Sequence, residues 1–158
     1  MTAKIVFTMG LPGSGKSTIV ATLYDGYERI DPDQLKLEHP DYDPKHPEAT
    51  HAWSMKQAEG RFNEALACAT GYWVVDGTGV NAERMIRRIV QAQAAGFKTT
   101  LLYVRVTLNT AIARNAARER AVSEEIIKGK ALDIATSFEL VSARVDEVIV
   151  IDNDSVRV

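Results

Sequence analysis

Residues 10–17, Gly-Leu-Pro-Gly-Ser-Gly-Lys-Ser, match the spacing G-x-x-x-x-G-K-[ST] without deviation. That spacing suits the binding of a nucleoside triphosphate. Glycines let successive backbone N–H groups turn inward, and a helix opening directly afterwards adds its positive end, so loop and helix together cradle phosphate oxygens. Gly10, Gly13, Ser14, Gly15, Lys16, Ser17 and Thr18 then line the nucleotide, which is read as ATP. Lys16 reaches its β- and γ-phosphates, and the Ser17 hydroxyl ligates Mg²⁺. A glycine turn with an incidental lysine is the plainer reading. The context argues against it, because an apolar run precedes the loop and a helix-forming run follows.

Binding does not by itself define a reaction. A guanine-reading N-K-x-D stretch is missing from the sequence, which argues against a GTPase, and a motor needs more sheet than this length supplies. A kinase needs a base near the acceptor hydroxyl, cations around the moving phosphoryl group, and a cover against water. Asp31 and Asp33 follow the second apolar run, and Asp33 is the candidate base. An aspartate there serves equally well as a helix cap. Arg114 and Arg118 stand four apart, with Arg120 just beyond, and suit a helical lid over the phosphates, although such arginines are often a solvated helix face. Asp76 and Thr78 end the third apolar run. They could hold Mg²⁺ through water or bind the acceptor, although Asp-Gly-Thr-Gly is also rich in turn formers. Glu59 could bind the acceptor or face solvent.

These residues must be positioned by elements that the hydrophobic pattern already suggests. Apolar runs at 4–8, 27–30, 72–75, 99–106 and 145–151 read as strands buried on both faces. Helical spacing occupies the intervals at 17–24, 49–69, 109–119 and 124–143. A further helix is capped by Asn81 and ends at Gly96, with Met85, Ile86, Ile89 and Val90 inward and Arg84, Arg87 and Arg88 outward. Ser123 caps the last helix. Strand and helix alternate throughout, which predicts one three-layer α/β domain over residues 1–158: a P-loop NTPase fold with about five parallel strands flanked by helices. Residues 39–51 hold three of the five prolines and all three histidines, and read as an irregular excursion without a structural metal site. Trp53, Trp73 and Cys68 read as core or partly buried packing.

Composition narrows the classes. At 46% hydrophobic and 25% charged, the 158 residues are those of a folded soluble chain with no membrane span. The single cysteine and the lack of a leader-like start fit the cytoplasm. A net charge of −2 argues against a non-specific nucleic-acid coat, although a local basic patch could still bind such a partner.

Residues 10–18, the Ile30-Asp31-Pro32-Asp33 run, the Asp76-Gly77-Thr78 turn and residues 113–127 together resemble the kinase domain of phage polynucleotide kinases over nearly the whole chain. That resemblance implies Lys16 and Ser17 on ATP and Mg²⁺, Asp33 as base, and Arg114 and Arg118 as lid arginines. It also puts Lys36 near the acceptor. The run from Asp31 through Lys36 to Asp43, with Ser54, Glu59 and Asp76-Gly77-Thr78-Gly79, is similar to zeta toxins, kinases of UDP-N-acetyl sugars. There Glu59 and Thr78 would hold the sugar nucleotide. Both resemblances imply an ATP-dependent kinase with an alcohol acceptor. The expected acceptor is a nucleic-acid or nucleotide hydroxyl, with a UDP-sugar as the alternative. The reading from another class is an ATP-binding regulatory module.

Overall fold

In the computed structural model, which describes residues 2–118 and 121–154, the apolar run before the glycine loop is strand β1, Lys4–Met9. Every residue of β1 after Lys4 is buried, so the run has no polar alternation. Helix α1 (Lys16–Leu23), β2 (Glu28–Ile30), α2 (Pro32–Leu37), α3 (His51–Cys68) and β3 (Tyr72–Val75) follow. The chain continues through α4 (Ala82–Ala94), β4 (Lys98–Arg105), α5 (Leu108–Ala116), α6 (Glu124–Ser142) and β5 (Glu147–Asp152). All strand pairs are parallel, in the order β2-β3-β1-β4-β5. The chain turns one way after β1 and the other way after β3. The loop after β1 therefore sits at the switch point where open α/β sheets bind ligands.

The sheet separates two cores. Ile5, Phe7 and Met9 point into the larger one, with residues of α3, α4 and α6. Phe7 meets Phe62 of α3 edge-on, ring centroids 6.3 Å apart. Val6, Val74, Leu102 and Val104 face Val20 of α1 on the other side. Asn81 and Ser123 are the N-caps expected, accepting from the N–H groups of Arg84 at 3.0 Å and Ile126 at 3.3 Å.

Several boundaries and faces differ from the sequence reading. In α4 the buried stripe is Met85, Ile89 and Ala92, while Val90 is 46% exposed. Val90 follows Ile89 by one residue, about 100° around the helix, and so leaves the stripe. Arg88 falls next to that stripe and lies over the Phe62 ring, 5.4 Å from its centroid, instead of facing outward. Helix α5 ends at Ala116, so Arg118 stands past the helix in the turn after it, and Glu119 and Arg120 lie outside the described residues. Strand β5 begins at Glu147 rather than 145. Cys68 is exposed, whereas Trp53 and Trp73 are half-buried. Within the 39–51 excursion, Pro47–Thr50 form a 3₁₀ turn, and His39 packs edge-on against Trp53 at 4.8 Å.

Candidate active site

The glycine loop is held from beneath. Gly13 has φ +84°, and a Cβ there would stand 2.8 Å from the Ala111 carbonyl and 3.2 Å from the Asn115 nitrogen, so only glycine lets the loop lie on α5. Asn153 Nδ2 donates to the Ser14 carbonyl at 2.7 Å, and the Arg114 guanidinium donates to the same carbonyl at 3.3 Å and to the Asn153 carbonyl at 2.6 Å. The first turn of α1 carries no capping side chain, which leaves its backbone N–H groups open to an anion. Ser17 and Thr18 are exposed there. Lys16 folds over the loop, and its Nζ donates to the carbonyls of Gly10 at 2.7 Å and Leu11 at 3.2 Å. Burial lowers its pKa from 10.5 to about 8. Asp76 and Asp33 oppose that shift, and Lys130 and Arg118 reinforce it.

The second wall is the end of β3, tied to β1. The N–H of Gly10 donates to the Thr78 carbonyl at 3.0 Å, while the Thr8 hydroxyl donates to the Gly77 carbonyl and accepts from its N–H, both at 2.9 Å. Asp76 accepts from Arg29 Nε at 2.7 Å and from the Thr8 hydroxyl at 3.4 Å. The cap of α2 is Asp31, which accepts from the N–H of Asp33 at 3.0 Å. Capping therefore occupies Asp31 and leaves the Asp33 carboxylate exposed, with no hydrogen-bond partner among the described residues. Burial raises the pKa of Asp31, and Asp76 and Asp33 add to the rise.

A divalent ion has a modest donor set here. Among the described residues no group of three or more His, Cys, Asp or Glu is suited to a metal. Mg²⁺ asks for less, since it keeps waters and substrate phosphates and takes only one or two protein oxygens. The oxygens available for it are the exposed Ser17 hydroxyl and the Asp76 carboxylate, whose charge acts on Lys16 and which Arg29 already pairs.

The expected residues divide into two groups. Asp33, Asp76 and Arg118 each act through their charge on Lys16. Arg114 instead braces the loop from outside. Lys36 is buried in α2 without a paired carboxylate among the described residues. Glu59 is exposed on α3, where its charge acts on Arg88. Burial and Arg84 lower the pKa of that guanidinium, and Glu59 opposes them. Thr8, Arg29, Asn153 and Lys130 had no role in the sequence reading. Lys130 was marked by being charged on the inward stripe of a helix, whereas Arg29 shares its three-residue strand with Glu28 and does not stand out there. Asn153 carries no comparable local signal.

A parallel sheet in this order, with a phosphate loop at its switch point, defines a P-loop domain of kinase-like fold. Residues 5–140 match the model of the AAA_33 family, described as an AAA domain, and the chain belongs to that family. No curated protein sequence matches it. Solved structures with the same fold include a chain of the PezAT chromosomal toxin-antitoxin system of Streptococcus pneumoniae. It has TM-score 0.69 and 16% identity over 96% of this chain and 68% of that one. AvrRxo1-ORF1:-ORF2 with ATP has TM-score 0.72 and 16% identity over 90% of this chain and 50% of that one, so this chain spans half its length. Deoxyadenosine kinase from M. mycoides with bound dATP has TM-score 0.59 and 17% identity over 94% and 91%. No helix of the described residues is long and apolar enough to cross a membrane.

Proposed function

We propose that this chain is an ATP- and Mg²⁺-dependent kinase that moves the γ-phosphoryl group of ATP to an acceptor hydroxyl. The observation that carries the reading is the exposed Asp33 carboxylate, left without a hydrogen-bond partner among the described residues while Asp31 takes the cap, with its charge acting on Lys16. Lys16 suits phosphate and Asp33 suits a hydroxyl proton. The acceptor oxygen attacks the γ-phosphorus and gives its proton to Asp33, while the bond from that phosphorus to the bridging oxygen breaks and ADP departs. Lys16 and Arg118 hold the charge that develops, and the residues otherwise act by alignment. Mg²⁺, when bound with the nucleotide, would supply charge neutralisation at Ser17 and Asp76.

The acceptor is read as a nucleotide or nucleic-acid hydroxyl. The charge on α4 supports an anionic ligand, because Arg84, Arg87 and Arg88 gather there and their charges act on one another at Arg88. A UDP-sugar, the acceptor that the sequence resemblance to zeta toxins implies, is supported instead by the exposed Glu59 of α3 beside Arg88. Transfer from γ-labelled ATP, offered a 5′-hydroxyl oligonucleotide, nucleosides and UDP-N-acetylglucosamine in parallel, separates them. Label on an oligonucleotide or nucleoside is expected. Label on the sugar nucleotide alone would move the acceptor to the second reading, and free phosphate alone would leave an ATP-binding regulatory module.

A further inference from the structure

Helix α6 turns one stripe toward the sheet: Ile127, Ile134, Ser137 and Val141 are all buried. Lys130 falls on that stripe, three residues after Ile127 and seven before Ser137, and is half-buried. Ser137 fixes the helix by donating its hydroxyl to the Gly79 carbonyl, so α6 is docked on the turn that ends β3. Two helical turns nearer the start of α6, Lys130 is thereby held on the side of the phosphate loop, close enough for its charge to act on Lys16. A lysine stem can lie along apolar neighbours while its ammonium reaches beyond them. No carboxylate pairs with Lys130 among the described residues, although Lys128, on the exposed face, pairs with Glu124 at 4.0 Å.

The charges of Lys130 and Arg118 thus converge on Lys16 from two further elements, opposed there by those of Asp76 and Asp33. Of the three, Lys16 alone is satisfied by the loop's own carbonyls. Partly desolvated like charges are costly together unless an anion joins them. We propose that Lys130 binds the γ-phosphate of ATP, as a third cation supplied from α6 rather than from the glycine loop or the segment after α5. The assignment rests on the reading of the loop as an ATP site and extends it to a residue outside both motifs.

A residue that touches the γ-phosphate distinguishes ATP from ADP, and a residue that merely stabilises α6 does not. Calorimetry of MgATP and MgADP binding to the wild type, Lys130→Met and Lys130→Gln reads this without any acceptor. Lys130→Met keeps the length and apolar contacts of the stem, and Lys130→Gln keeps a hydrogen-bond donor should the first variant fold poorly. The expected result is a loss of about tenfold in MgATP affinity, the scale of one charge-assisted contact, with MgADP affinity unchanged. Lys130→Arg should restore most of the ATP preference. Equal losses for both nucleotides, or no loss for either, would overturn the assignment while leaving the ATP site standing. A wild-type protein that binds neither nucleotide would overturn the assignment and the ATP site together.

Discussion

Arg114 and Arg118 are four residues apart, yet the structure gives them different neighbours. The Arg114 guanidinium is spent on two backbone carbonyls that shape the glycine loop, whereas Arg118 lies past the end of α5 with its charge acting on Lys16. Arg114→Ala should therefore raise the KM for ATP by roughly tenfold and leave kcat within a few-fold, since it removes charge-assisted hydrogen bonds that shape the ground-state site. Arg118→Ala should lower kcat by ~10²-fold or more with a smaller change in KM. Steady-state kinetics of the two variants checks this, and matching patterns would mean that the two arginines share one role. The sequence could show their spacing but not this division, because the carbonyls that occupy Arg114 belong to residues 100 and 39 positions away. Asp31 and Asp33 present the same difficulty. Only the backbone shows that Asp31 takes the cap and frees Asp33.

At the scale of elements, the turn after β3 is the joint on which both walls of the site depend. Its Gly79 has φ +78°, and a Cβ there would stand 2.8 Å from Cγ of Met9. Its carbonyl receives Ser137 of α6, and the neighbouring Thr78 carbonyl receives the N–H of Gly10. Gly79→Ala should cost about 1–3 kcal/mol of stability, from left-handed backbone strain and the Met9 clash, and should weaken ATP binding as well. Denaturant titration beside calorimetry reads both effects, and an unchanged protein would mean that the turn relaxes without cost. Elements were the most legible level of the sequence: β3 has the bounds read from its apolar run, and the Asn81 and Ser123 caps stand where expected. The inward turn of Arg88 was not legible, since an arginine near a buried stripe is outward by default until an aromatic such as Phe62 faces it across helices. The early end of α5 likewise depends on anchoring beyond the helix. Asn115 is buried there, and its side chain exchanges two hydrogen bonds with the backbone of Val122.

For the molecule as a whole, the phosphate loop is a region where folding and binding compete. Lys16 titrates near pH 8 when folded, against 10.5 for an unperturbed lysine, a difference worth ~3 kcal/mol of folding free energy at neutral pH. Between those values the unfolded chain binds the extra proton, so this lysine makes stability rise with pH across that window. Lys16→Met should raise stability at pH 7, flatten that rise, and abolish the thermal shift that MgATP gives the wild type. Melting curves at pH 7, 8 and 9, with and without MgATP, test this. A variant less stable than the wild type at pH 7 would mean that the loop carbonyls compensate the ammonium fully. The alternation of strands and helices predicted a parallel sheet between helix layers, but the strand order that places this loop beside β3 is set by long-range pairing that no local pattern carries. The most direct test of phosphoryl transfer is a single-turnover measurement with γ-labelled ATP on the wild type and Asp33→Asn, using whichever acceptor the wild type labels. The expected result is unchanged ATP affinity with transfer slowed by ~10²–10⁴-fold in the variant. Transfer at the wild-type rate by Asp33→Asn would contradict the assignment of the base, and a wild type that labels no hydroxyl acceptor would contradict the kinase reading itself.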